Sequence, residues 1–158
     1  MEIRKFTDTD INQIVSLFYE TVHSVNKRDY SQEQLDAWAP KDEETLKLNT
    51  WKDSLSQNVT FVAEIKGEIV GFSDMTHYGH LDRLYIHKDF QGQGIASALV
   101  NTLEFEARGL GLFEIDTEAS ITAKPFFERQ GYRIIQSQVV ERKGVMLANF
   151  KMVKNMLR

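Results

Sequence analysis

Residues 81–100 read LDRLYIHKDFQGQGIASALV, and this stretch decides the fold. A strand with alternating apolar residues starts at Leu81 and runs into a polar turn. A glycine pair follows, Gly92 and Gly94, and then a helical run with Ile95, Ala96, Ala98, Leu99 and Val100. Glycines at a helix start leave backbone N–H groups unshielded by Cβ atoms. Those unpaired amides, with the positive end of the helix dipole, make a site for phosphate. The segment predicts a ligand that carries phosphates.

Three phosphate-binding patterns can be laid over it. A Walker loop requires Lys and then Ser or Thr after the second glycine, where Ile95 and Ala96 stand. A dinucleotide fingerprint requires a third glycine where Ser97 stands, and Lys88 to Gln91 separate the strand from the first glycine. Glu114 and Asp116 fall near the spacing of a ribose ligand, which keeps this reading as an alternative. The third pattern fits every position. Gln91-Gly92-Gln93-Gly94-Ile95-Ala96, after a strand at Leu84-Tyr85-Ile86, resembles the Q/R-x-x-G-x-G/A pyrophosphate loop of the GNAT superfamily of N-acetyltransferases. A strand-to-helix turn that binds nothing would explain a lone Gly-x-Gly, but a second segment argues against it.

Residues 119–132, ASITAKPFFERQGY, resemble the strand-to-helix motif of the same superfamily, N-x-x-A-x-x-F-Y-x-x-x-G-F/Y. Ala123, Phe126, Gly131 and Tyr132 match. Tyr30, Ser31, Gln34, Ala37 and Trp38 are similar to the Tyr-Ser-x-x-Gln-x-x-Ala-Trp stretch of the bacterial YafP-like group. Two positions depart: Ser120 stands where Asn is usual, and Phe127 where many relatives carry a tyrosine thought to protonate the departing CoA thiolate. Phenylalanine has no proton to give. A thiol of pKa ~8.5 is already a fair leaving group near neutral pH. Tyr78, Tyr85, Tyr132 or a water are open as substitutes.

With 158 residues, 42% hydrophobic and 27% charged, the chain has the size and composition of one globular domain spanning 1–158. It carries 19 basic and 23 acidic side chains, a net charge of -4, and no Lys/Arg cluster, so nucleic acid is not an expected partner. Met1 to Lys5 lacks the apolar core of a signal peptide and no run approaches membrane-spanning length. No membrane association and a cytoplasmic location are therefore expected. The absence of cysteine rules out a disulfide framework, thiolate metal sites and a cysteine nucleophile. Without an acyl-cysteine, direct transfer in a ternary complex is the simpler acyl-transfer mechanism.

Periodicity predicts a strand over 2–6, a helix with the stripe Ile11, Ile14, Val15, Leu17, Phe18 and Val22, and a short helix opened by Ser31 with Gln34 as capping-box partner. A helix over 42–55 offers Leu46, Leu48, Trp51 and Leu55 for burial. Strands over 58–65 and 68–75 join at Lys66-Gly67. A strand over 81–87, a helix over 92–108, a strand over 112–118 and a helix over 122–130 follow, with Pro125 in the last helix's first turn. A terminal hairpin pairs 132–141 with 145–153. This order is mixed α/β (α+β). The resemblance implies the GNAT acyl-CoA N-acyltransferase fold, a central, mixed but mostly antiparallel sheet of about seven strands, splayed between strands 4 and 5 and flanked by helices.

The resemblance further implies transfer of the acetyl group of acetyl-CoA to a primary amine, small molecule or peptide, and leaves room for a homodimer. Backbone amides of Gln91, Gly92, Gln93, Gly94, Ile95 and Ala96 would hold the pyrophosphate. The pantetheine arm would pair with the strand edge at Leu84, Tyr85 and Ile86. Ser120, Phe126 and Phe127 would wall the arm and thiol. An amine is mostly protonated at neutral pH, so a base is required. His80 and Asp82, two residues apart on one strand, and Glu118 at the end of the next are the candidates. Each also has a plain reading, as an exposed polar residue, a partner of Arg83 or Lys88, or a helix cap. His77 and His80 with Asp82 lack the further placed carboxylate or thiolate of a metal site, and no metal is expected. His23 and His87 read as surface residues; Tyr30, Trp38, Trp51 and Tyr78 are candidate acceptor-side walls, although Trp38 and Trp51, at helical positions, read more readily as core. Two other functions stay open, a non-catalytic acyl-CoA-binding sensor or interaction module and a dinucleotide-binding domain.

Overall fold

Two left-handed turns set the antiparallel parts of the sheet. Lys66 (φ 51°) and Gly67 (φ 81°) join β2 (Val59–Ile65) to β3 (Glu68–Met75), and Lys143 (φ 50°) and Gly144 (φ 76°) join β6 (Arg133–Arg142) to β7 (Val145–Asn155). Two consecutive positive φ angles match the twist of paired strands, so these dipeptides fix both hairpin registers. In the computed structural model, which describes residues 1–156, β1 (Glu2–Lys5), β4 (His80–Ile86) and β5 (Glu114–Ser120) complete a seven-stranded sheet of order β1-β2-β3-β4-β5-β7-β6. Every neighbouring pair is antiparallel except β4 with β5.

Helices cover both faces. On one lies α4 (Ile95–Gly109), whose Ile95, Leu99, Val100 and Leu103 pack with Val70, Met75, Leu81 and Ile115. Gly71 on β3 permits the close approach, since a Cβ there would lie 2.8 Å from Ile86 Cδ1 and 3.2 Å from Ile95 Cγ2. On the other face α1 (Ile11–Ser24) buries its whole apolar stripe against Val62, Ile69 and Phe72. Helices α2 (Gln32–Trp38) and α3 (Glu44–Gln57) flank it. The capping box of α2 forms as the sequence predicts: Gln34 N–H donates to Ser31 Oγ at 3.2 Å, and Ser31 N–H to Gln34 Oε1 at 2.8 Å. The last helix, α5 (Lys124–Arg129), takes Pro125 in its first turn. No helix among the described residues is long and apolar enough to cross a membrane.

The structure corrects three sequence readings. Helix α4 begins at Ile95 rather than Gly92, because Gly92 (φ 72°) and Gly94 (φ 81°) are left-handed. Leu46 faces solvent at 66% exposure, since α3 turns only Leu48, Trp51 and Leu55 inward. His23 and His87 are largely buried rather than at the surface, their side chains 12% and 15% exposed. The His23 ring bonds Ala39 O at 2.8 Å, and His87 Nδ1 accepts from Asp89 N–H at 3.1 Å.

Candidate active site

The site begins where the one parallel pairing ends. Strands β4 and β5 are in register only at His80 with Asp116 and Leu81 with Thr117. Thr117 Oγ1 donates to Leu81 O at 2.8 Å and locks that last pair. On its other edge, β4 pairs Leu81 with Met75 and Arg83 with Asp74, so Asp82 is the extra residue of a bulge. Bulges bend a strand and re-aim its side chains. Past this point the strands part, as the resemblance implies, and a cleft of about 510 Å³ opens.

The glycine loop forms one wall. Gln91 Nε2 donates to Ile86 O at 2.7 Å and ties the loop to the end of β4. A Cβ at Gly92 or Gly94 would meet no atom within 4 Å, so the space above the loop is open. The first helical hydrogen bond of α4 runs from Ala98 N–H to Gly94 O at 3.1 Å. The N–H groups of Ile95, Ala96 and Ser97 precede it and have no intrahelical acceptor. With Gly94 as an N-cap that offers no side chain, these amides are available to a phosphate. The residues present fit the group the sequence predicts.

Leu84, Tyr85, Ile86, Gln91, Gly92, Gly94, Ile95, Ala96, Ser120, Phe126 and Phe127 all line the cleft. Gln93 is exposed and does not line it. Ser120 fills the usual asparagine position with a turn bond of its own, its Oγ accepting from Ala123 N–H at 3.0 Å. Of the three tyrosines open as replacements for the one missing at Phe127, two lie elsewhere. Tyr78 is 91% exposed and lines neither cavity. The Tyr132 hydroxyl donates to Glu104 Oε2 at 2.9 Å in the core. Burial, then the Glu104 carboxylate, drive its pKa far above the ordinary phenol range. Tyr85 does line the cleft; its oxygen accepts from Trp38 Nε1 at 3.2 Å, and burial pushes its pKa up to about 12.

A second cavity, about 110 Å³, shares Trp38, Asp82, Tyr85, Glu118 and Ser120 with the cleft. Asp82 and Glu118 thus face both spaces, one on each side of the fork. His80 lines only the second cavity, and its Nδ1 lies 2.5 Å from Asp116 Oδ1. Neither Asp116 nor Glu114 lines the cleft, which leaves the dinucleotide alternative without its acidic ligand. Tyr30 and Trp38 line the second cavity, whereas Trp51 takes the core reading, packed on Phe18 at 4.7 Å and under Arg83 at 4.7 Å. Sequence reading missed the wall supplied by the terminal hairpin, Val140, Arg142, Leu147, Ala148 and Asn149. The one available signal was the hairpin itself, since nothing local says what its tip covers. Tyr30 joins the parts. Its hydroxyl donates to Ala148 O at 2.6 Å and accepts from Ile121 N–H at 3.0 Å.

Comparison with known proteins agrees with this geometry. Residues 26–154 match the acetyltransferase (GNAT) domain family. The chain is 35% identical to the uncharacterized N-acetyltransferase YafP of Escherichia coli K12 over 153 residues, 96% of this chain and 94% of that protein. A GCN5-related N-acetyltransferase from Rhodopseudomonas palustris superposes with a TM-score of 0.91 at 30% identity, covering 98% of this chain and 94% of that one. The PaiA N-acetyltransferase of Thermoplasma acidophilum, solved in complex with coenzyme A, shares the fold with a TM-score of 0.78 at 17% identity, over 98% of each chain. A forked parallel pair, a bare glycine loop at a helix start and these relatives converge, and the chain belongs to the GNAT family of N-acetyltransferases.

Proposed function

We propose that residues 1–158 act as one catalytic unit that transfers the acetyl group of acetyl-CoA directly to a primary amine seated in the second cavity. The observation that carries this reading is the open glycine loop, whose acceptor-free amides face a cleft continuous with a pocket bearing two carboxylates. Bound acetyl-CoA supplies an activated thioester carbonyl.

The chain's own residues do the rest. Amides from Gly94 to Ser97 hold the pyrophosphate at the positive end of α4. Ile86 O already accepts from Gln91 Nε2 and from Thr21 Oγ1 (3.1 Å), so the arm's backbone partners on β4 lie nearer Leu84. A β4 N–H polarises the thioester oxygen, and electrostatic stabilisation with positioning supplies most of the rate. Phe126 and Phe127 keep water from the thiol end. Asp82, Glu118 or His80 takes a proton from the ammonium. The freed nitrogen then forms a C–N bond as the C–S bond breaks, and CoA leaves as a thiolate that takes up a proton. Phe127 cannot deliver that proton, and of the three tyrosines considered Tyr85 is the one that lines the cleft.

The test is calorimetric titration with acetyl-CoA, followed by CoA release from an amine panel. Micromolar binding with amine-dependent release supports the reading. No binding by folded protein contradicts it, and binding without release from any amine turns it toward a sensor or interaction module.

A further inference from the structure

We infer that the amine accepted in the second cavity is small and carries a carboxylate, which Arg142 receives; this rests on the acetyl-transfer reading above. Size argues first. At about 110 Å³ the pocket falls far below the ~300–1,000 Å³ that drug-sized ligands occupy. An acceptor of a few heavy atoms fills it.

The pocket's polar groups then divide by sign. On the side continuous with the cleft stand the carboxylates of Asp82 and Glu118. Tyr30, Trp38 and Tyr85 line the same pocket with aromatic surface, which suits a cation. The two carboxylates take the amine.

Arg142 lines the same pocket and is of opposite sign. The hairpin that carries it is fastened at three points on its C-terminal side. Lys143 pairs with Glu43 at the start of α3, Gln34 Nε2 donates to Met146 O at 2.9 Å, and Tyr30 donates to Ala148 O at 2.6 Å. The neighbouring cations have partners: Lys143 has Glu43, and Arg83 has Asp74 at 2.6 Å. Arg142 forms no ion pair or side-chain hydrogen bond among the described residues. Other cations lie near it. Lys47 lies over the Phe18 and Trp51 rings, and its pKa is lowered first by burial and also by Arg142, Arg83 and Lys143, against the pull of Glu43. Arg142, without an ion pair among the described residues, and the carboxylates of Asp82 and Glu118 line one small pocket, and charges of both signs there match a short amino acid. A diamine or polyamine would bring a second cation to Arg142.

The experiment compares CoA release with glycine, β-alanine and γ-aminobutyrate, each against its own carboxamide, and with putrescine. Wild type is expected to favour at least one acid over its amide by about tenfold or more in kcat/KM, since a site built for a polar group rejects the analogue lacking it. In Arg142→Gln that ratio falls to about one, through KM, and Arg142→Lys restores part of it. The inference is overturned by an amide or putrescine turned over as well as the acids, by no turnover of any acid, or by a ratio that Arg142→Gln leaves unchanged. Acetyl-CoA titration of the same samples separates the two levels. No acetyl-CoA binding sinks the acetyl-transfer reading and this inference with it; binding without acid preference sinks this inference alone.

Discussion

The cleft and the pocket beside it are built differently. The cleft's anion site is backbone, with two glycines and the first turn of α4 supplied by consecutive residues. The pocket is made of residues from α2, β4, β5, β6 and β7 and the Tyr30 loop, brought together across up to 119 residues of sequence, from Tyr30 to Asn149. A backbone site has few ways to vary, since a Cβ at Gly94 would enter the space above the loop. A side-chain site changes its chemistry with each substitution while the sheet stays the same. On the proposed function, the architecture separates a fixed cosubstrate from a variable acceptor.

The largest expected effect strikes the backbone half. Gly94→Glu places bulk and negative charge in the phosphate space, and we expect roughly 100-fold or greater loss of acetyl-CoA affinity by calorimetry. The left-handed φ of 81° adds a folding cost of about 1–2 kcal/mol. Removing the two carboxylates of the fork, Asp82→Asn with Glu118→Gln, should instead act on chemistry. Its kcat falls by about 10²–10⁴-fold if either is the base, while acetyl-CoA affinity changes far less. Retained kcat would move the base to His80.

Titration sharpens the contrast further. Asp74 is fully buried beside Arg83, and its pKa is raised from 3.8 to about 6, chiefly by burial. Its protonated form is therefore favoured by folding, so the stability it contributes is present below pH ~3.8 and lost as pH rises through about 6. Denaturant unfolding of wild type against Asp74→Asn should show the wild type's relative stability declining between pH 4 and 7, by on the order of 2–3 kcal/mol. A flat difference would contradict this. The smallest effect belongs to Tyr30→Phe, which unties Ile121 N–H and Ala148 O. It should cost about 1–2 kcal/mol, lowering Tm by roughly 2–4 °C per kcal/mol for a chain of this size, and should raise KM for the amine more than for acetyl-CoA.

The same contrast governs what could be read from sequence. The glycine loop, both hairpin turns and the capping box of α2 were legible because each depends on residues within a few positions of one another. Element ends were less so; Gly92 reads as a helix start until its left-handed φ is seen. His23 and His87 look like surface residues because the carbonyl of Ala39 and the 3-10 turn at 88–90 that bury and bond them are set by tertiary packing. Arg142 and Asn149 carried no local mark at all. Their place in the pocket follows from β7 pairing between β5 and β6, a non-sequential order that aims the hairpin at α2 and α3.

The central claim is that backbone amides at the start of α4 hold acetyl-CoA. Hydrogen–deuterium exchange with and without acetyl-CoA tests it most directly. The account predicts slowing concentrated at Gly92 to Ser97, with little change at the tip of the β6–β7 hairpin. Binding that leaves the Gly92 to Ser97 amides exchanging as before would contradict it.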